Sequence, residues 1–376
     1  MLSLYIHIPF CVKKCLYCGF YSTPYSQEHA DEFLSGLRSE AALFKDAFHG
    51  RVFETIYIGG GTPTVLSLDQ FSSVLDIIRG HFQVSNDCEF TVEANPNTVS
   101  EQKLKTFLER GVNRLSLGVQ SFSDTVLRAL GRLHTSEEAV VAVTCAKQAG
   151  VRNIGIDLIY GIPGQTVSLW RESLERAIEL RPEHISAYSL SLDEGAWFTR
   201  EVEAGRFALP AEETVAEMYE LAVPALARAG YQRYEISNFS LPGFECRHNM
   251  NYWKRGEYLG LGPGAWSFLS GKRCSNIPDV REYSQRLLTG SSPVGYEEAV
   301  RPEQAAAEAL MLGLRMEAGI ELRGFEQEHG RHAADRLAKK AEPLGRTGLV
   351  SLSSGRLRLT GRGILLSDDV IGRLCT

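Results

Sequence analysis

"ERGVNRLSLGVQ", residues 109–120, sets a helix end against a glycine, a short link and then a β-rich run. The same outline returns in "KQAGVRNIGIDL", residues 147–158, and in "ARAGYQRYEISN", residues 227–238. Gly111, Gly150 and Gly230 stand at the corners, 39 and 80 residues apart, one and two lengths of a strand–helix unit. Glycine reaches the left-handed backbone that ends a helix. Further β-rich runs are "LYIHIP" (4–9), "TIYIGG" (55–60), "EFTVEAN" (89–95) and "HISAYSL" (184–190). Between the first two, Phe33, Leu37, Ala41, Phe44 and Phe48 recur at the spacing of an amphipathic helix. Ser67 and Gln70 have capping-box spacing ahead of another.

Strands alternating with helices imply right-handed crossovers and a parallel sheet. Periodicity alone does not separate an open doubly wound sheet from a barrel. Gly59 to Gly61, Glu93, Gln120 and Asp157 each end a different β-rich run, and parallel barrels gather their chemistry at that carboxyl rim. The expected fold is therefore α/β, a partial (β/α)6 TIM-type barrel over residues 1–240. Residues 241–295 carry glycine, aromatic residues and little periodicity, and are expected to form an irregular connecting segment. Residues 296–376 read as a small C-terminal helical domain, winged-helix-like, with a β-hairpin in "LVSLSSGRLRLTGRG" turning at Ser-Gly.

Composition narrows the function. The 376 residues are 44% hydrophobic and 23% charged, with a formal net charge of −6. That balance argues against nucleic acid as the main partner. The last 76 residues hold 12 Lys/Arg against 10 Asp/Glu, too even for a phosphate-binding face. No apolar run approaches the ~18 residues that cross a bilayer. Met1 to Ile8 lacks the pattern of a signal peptide, so the expected location is cytoplasmic. Peripheral membrane contact and a homodimer stay open.

Eight cysteines are present, and three of them crowd into "HIPFCVKKCLYCGFYS", residues 7–22. Cys88, Cys145 and Cys375 read as reduced thiols packed as small hydrophobes. Cys11, Cys15 and Cys18 are spaced C-x3-C-x2-C, directly after the first β-rich run. Zinc is one reading, but structural zinc takes four protein ligands, and neither His7 nor His29 is an evident fourth. A [4Fe–4S] cluster on three thiolates leaves one iron open to a small chelating molecule.

With Tyr17 just ahead of the third cysteine, this loop resembles the signature of the radical S-adenosylmethionine (SAM) superfamily. The resemblance implies a [4Fe–4S] cluster on Cys11, Cys15 and Cys18, with SAM chelating the open iron. "GGGTPT", Gly59 to Thr64, is similar to the family's methionine-binding segment, which brings in Gly60, Gly61 and Thr62. Glu93, Gln120, Arg132 and Asp157, with Tyr5, match SAM-holding positions of one branch, the oxygen-independent coproporphyrinogen oxidases. Each has a plainer reading too, Asp157 as a turn cap and Arg132 as a helix-end charge.

Within that branch, oxidases carry a fourth cysteine two residues after the third, where this chain has Phe20, and a longer segment ahead of the loop. "CRHNMNYW", Cys246 to Trp253, instead resembles the mark of a haem-chaperone subgroup. That implies haem as cargo, His248 as its iron ligand with Cys246 as competitor, and haem-requiring acceptor proteins, such as respiratory-chain components, as partners. "YLGLGPGAWSF", Tyr258 to Phe268, is expected to turn tightly near the same opening. The alternatives are a radical SAM enzyme acting on a tetrapyrrole, either the oxidase or a haem-degrading methyltransferase type, and a zinc-stabilised interaction protein.

Overall fold

In the computed structural model, which describes residues 1–375, six of the seven β-rich runs form parallel strands. β1 (Leu2–Ile8), β2 (Val52–Gly60), β3 (Gln83–Ala94), β4 (Arg114–Gln120), β5 (Ile154–Tyr160) and β6 (His184–Ser189) lie side by side in chain order. Every neighbouring pair is parallel. The crossovers include α1 (Gln27–Lys45), α2 (Leu68–His81), α3 (Glu101–Glu109), α4 (Ser136–Ala149) and α5 (Val167–Glu179). Ser67 and Gln70 close the expected capping box on α2. Gly111, Gly150 and Gly230 all take positive φ, between 82° and 97°.

The strands are two-faced. On the helix side lie Leu4, Ile6, Ile56, Ile58, Phe90, Val92, Leu115, Leu117, Ile156 and Ile185, all buried in one core. The alternate positions carry Ser3, Tyr5, His7, Thr55, Tyr57, Glu89, Glu93, Arg114, Ser116, Asp157, His184 and Ser186. Side chains on one strand face recur every second residue, so the inner surface of this sheet is polar. A packed parallel barrel fills its interior with branched apolar residues. Here the interior is built for hydrogen bonding.

Two expectations need correction. The third echo, "ARAGYQRYEISN", follows α6 (Glu212–Arg228) but does not enter a parallel strand. It yields β7 (Gln232–Arg233) and β8 (Asn238–Ser240), which add antiparallel to the edge at β6. Residues 241–295 are also not irregular. They hold α7 (Arg247–Trp253), β9 (Glu257–Leu261), β10 (Trp266–Leu269), β11 (Lys272–Asn276) and α8 (Val280–Leu288). β9 pairs parallel with β1, from Leu2 opposite Glu257 to Ile6 opposite Leu261. β10, β11 and β12 (Val294–Ala299) continue antiparallel, giving an open sheet of twelve strands.

Glu40 ties this extension to the barrel. Its carboxylate, fully buried on α1, accepts hydrogen bonds from Tyr283 Oη, Gly262 N at 2.8 Å and Asn276 Nδ2 at 2.6 Å. The rest of the chain has its own core, in which Leu310, Phe325, Leu337, Leu344, Leu357 and Ile371 pack together. There α9 (Pro302–Gly313), α10 (Arg331–Arg346) and α11 (Ser367–Cys375) surround the hairpin of β13 (Val350–Ser353) and β14 (Arg356–Leu359). Ser354 and Gly355 both take positive φ in its turn, as a two-residue hairpin turn of the primed kind requires.

Candidate cofactor site and adjoining cavity

The cysteine loop leaves the carboxyl end of β1 and is closed at its base. Thr23 N donates to Pro9 O at 2.7 Å and Tyr25 N to Cys11 O at 3.0 Å. Its three cysteines are free and half-buried. Among the described residues no three His, Cys, Asp or Glu side chains close on one point, as a single ion requires. A [4Fe–4S] cube is gripped at separate corners, so its cysteines need not converge. Burial holds the Cys18 thiol up to about 11. The Lys14 charge opposes that rise at Cys18, and Arg132 reaches Cys15 Sγ at 3.4 Å.

Arg132 is the best test of ligand fit. Its guanidinium spans Cys15, Asn95 Oδ1 at 2.6 Å and Gly118 O, and it lies against the Tyr17 phenol. Its Nε is buried with no hydrogen-bond partner. A buried donor left unpaired is costly, and a ligand carboxylate or sulfur would satisfy it. Nearby, Gln120 ends β4 with φ 67°, a conformation rare outside glycine. It sits at a register slip between β4 and β5. Its amide has no hydrogen-bond partner among the described residues, and it stands beside Gly118 with Arg132 and Asn95.

The two carboxylates are held by hydroxyls. Glu93 accepts from Tyr57 Oη at 2.7 Å and from Gly60 N at 3.2 Å. Burial, then the nearby Asp157 charge, lifts its pKa to about 7. Asp157 accepts from Ser186 Oγ at 2.6 Å and Ser116 Oγ at 3.0 Å, and burial raises its pKa as well. Tyr5 donates to His7 Nδ1 at 3.0 Å, because His7 Nε2 must donate to the Tyr21 carbonyl at 3.1 Å.

The glycine segment lies close against its neighbours. A Cβ at Gly61 would stand 2.5 Å from Phe10 O, one at Gly60 2.6 Å from the His7 ring, and one at Gly59 2.8 Å from Glu93. The space they vacate is filled by the protein itself. Thr62 is buried, with its N donating to Phe10 O at 2.7 Å and its hydroxyl between Cys11 Sγ at 3.6 Å and Asn95 Nδ2 at 3.0 Å. Segment 59–62 therefore moulds the cysteine loop.

His248, the expected haem ligand, is closed off in this conformation. It is 0% exposed. Thr55 donates its hydroxyl to Ser3, so His248 Nδ1–H donates to Thr55 Oγ1 at 2.9 Å. The other nitrogen, Nε2, accepts from Tyr252 Oη at 2.8 Å. Burial and the nearby Arg114 hold the imidazole neutral, with its pKa near 3. Cys246 is equally buried, with Sγ 3.6 Å from Glu89 Oε1. The first turn of α7 grips Glu89 through Arg247 N and His248 N, both at 2.9 Å, and Asn251 Nδ2 reaches Ser3 Oγ at 2.9 Å. "HNMNYW" welds α7 across β1, β2 and β3.

Tyr252 links that weld to open space. It lines a cavity of about 780 Å³ between the cysteine loop, β9 to β11 and α9. Gly262, just after β9, takes φ 101°, and a Cβ there would stand 2.5 Å from His7 O, so this turn lies close against β1.

Sequence reasoning missed Asn95, Tyr57, Ser116 and Ser186, which orient Arg132, Glu93 and Asp157. It also missed Arg114, buried among Glu89, Cys246, Tyr57 and Tyr234. The period-2 polar face of the strands was the available signal.

An open βα barrel with a C-x3-C-x2-C loop on its carboxyl rim defines a radical SAM protein, and the radical SAM superfamily matches residues 5–177. The HemN C-terminal domain matches residues 300–366. The fold is similar to coproporphyrinogen III oxidase (HemN) from Escherichia coli, with a TM-score of 0.87 at 26% identity, covering 100% of this chain and 90% of that one. Heme chaperone HemW from Bacillus subtilis is 37% identical over 99% of this chain and 98% of its own length. HemW from Lactococcus lactis is 36% identical over 98% and 96%. The chain belongs to the HemW family.

Proposed function

We propose that this chain is a haem chaperone that carries haem to haem-requiring acceptor proteins in the cytoplasm, with a [4Fe–4S] cluster and SAM in its barrel. One observation carries the reading: likeness to haem chaperones runs along nearly the whole of both chains. Phe20 on the rim, where the resembled oxidases have a further cysteine, speaks in the same direction.

In this reading Cys11, Cys15 and Cys18 hold the cluster, which supplies an open iron for SAM and an electron. Arg132, its Nε unpaired, and Gln120, its amide free, take SAM's anionic and polar groups. Glu93 and Asp157, oriented by hydroxyls, accept from its ammonium or ribose hydroxyls. Tyr5 and Tyr17 flank these groups. Gly60, Gly61 and Thr62 serve indirectly, by letting the cysteine loop lie close. Among the described residues no helix is long and apolar enough to cross a membrane.

A second reading, a radical enzyme acting on a tetrapyrrole, is favoured by the likeness to the E. coli oxidase. Anaerobic purification followed by iron, sulfide and haem determination tests the first. The expected result is about four irons and four sulfides per chain, with added haem binding in a fixed ratio. Stoichiometric zinc without iron, or no haem binding, would contradict it.

A further inference from the structure

The large cavity opens beside the cysteine loop, which lends it Gly19, Phe20 and Tyr21, and beside the buried His248 corner, which lends it Tyr252. Its walls are aromatic: Tyr5, Phe20, Tyr252, Trp266 and Phe268 line it. Phe20 and Trp266 are 66% and 45% exposed, large apolar surfaces turned toward open space. At about 780 Å³ it lies in the upper part of the size range of small-molecule sites.

Set among these rings are two guanidiniums. Arg255 and Arg273 both stack on Phe268, at 4.8 and 5.7 Å from its centroid. Between them lies the carboxylate of Glu308, on α9, with Oε2 at 2.9 Å from Arg255 Nε and Oε1 at 2.9 Å from Arg273 Nη2. Glu298 holds the far side of Arg273 at 2.7 Å. The Arg255 and Glu308 side chains are only 15% and 12% exposed. Both Nη groups of Arg255 have no hydrogen-bond partner among the described residues, so half of a fork suited to a carboxylate stands open.

We propose that this cavity seats the haem and that Arg255 and Arg273 bind its two carboxylates in exchange for Glu308. The proposal rests on the haem-chaperone reading above. Charge balance favours the exchange, which leaves three anions on the two cations instead of four. Two guanidiniums already face Glu298 and Glu308, and two more carboxylates would leave four anions on two cations. Glu308 is the central, bridging anion, and it sits on a helix of the second core. Met311 and Leu312, from the same helix, also line the cavity. Loading the cavity and latching α9 to the barrel extension therefore compete for one pair of arginines. Cargo occupancy thereby loosens the contact between α9 and the barrel extension. No covalent or redox step is involved.

The test uses the full chain, titrated with haem and with haem dimethyl ester, which keeps the ring and loses both charges. In the wild type the ester should bind at least tenfold more weakly than haem. Glu308→Gln should tighten haem binding several-fold. Arg273→Gln should weaken it about tenfold. Ester binding should respond to neither substitution, and thermal melting checks that each variant is folded. Equal binding of haem and ester, or haem affinity unmoved by Glu308→Gln, would overturn the arginine exchange while leaving the chaperone reading intact. If neither ligand binds the wild type, the chaperone reading itself fails.

Discussion

His248 joins a residue type suited to iron with a site that occupies both its nitrogens. A histidine beside aromatic residues suggests an iron ligand, yet both its nitrogens are spent inside the protein, on Thr55 and Tyr252. Its removal would leave the Thr55 and Tyr252 hydroxyls without that partner in a buried corner. Leaving a buried polar group unpaired costs about 1–3 kcal/mol. His248→Ala should therefore lower unfolding stability by about that amount with no haem present, as read by denaturant titration. Unchanged stability together with loss of the haem absorption spectrum would instead make His248 a ligand. Sequence could rank His248 as chemically capable; it could not show that Ser3 and Thr55 from two strands, and Tyr252 one turn on, claim both nitrogens. The cysteines were legible because spacing along one loop carries their geometry. Asp157 was legible as a polar residue of a β-rich run and Arg132 through the family resemblance, but their supports, Asn95 just after β3 and Ser186 on β6, need the register.

At the scale of elements, the six parallel strands were readable because each is a β-rich run preceded by a glycine corner or set against a helical pattern. β9 was not, although it pairs directly with β1. Its run "EYLGL" is interrupted by glycine, and Gly260 is required because a Cβ there would meet Trp266 O at 2.0 Å. Packing, rather than strand propensity, decided that position. The junction between α1 and this extension also carries a pH signature. Burial raises the Glu40 pKa from 4.5 to about 7. A carboxylate raised on folding contributes stability below its unfolded pKa and loses it as pH rises through the folded value. Between pH 4.5 and 7 the loss is on the order of 3 kcal/mol. The stability of the wild type relative to Glu40→Gln should therefore shrink from pH 4.5 to 8. A difference that is constant, or that grows with pH, would show Glu40 to be ionised throughout.

For the whole molecule, one rim gathers the cysteine loop, the carboxylates and Arg132, and a second cavity opens beside it toward α9. Alternation of polar and apolar residues along the strands marks the barrel as hollow and hydrogen-bonding, a property of the sheet rather than of any one motif. The C-terminal hairpin was legible from its Ser-Gly turn, while the closing of α9 over the cavity was not, because Glu308 meets Arg255 and Arg273 only in the folded chain. Under the proposed reading, the chain keeps the cofactor-binding rim of an enzyme and adds an exchangeable seat for cargo. The direct measurement is an anaerobic incubation of the iron-loaded chain with reductant, SAM and coproporphyrinogen, counting 5′-deoxyadenosine and decarboxylated product per chain. A chaperone should give less than one decarboxylation per chain while still binding added haem; sustained multiple turnover of the porphyrinogen would contradict it.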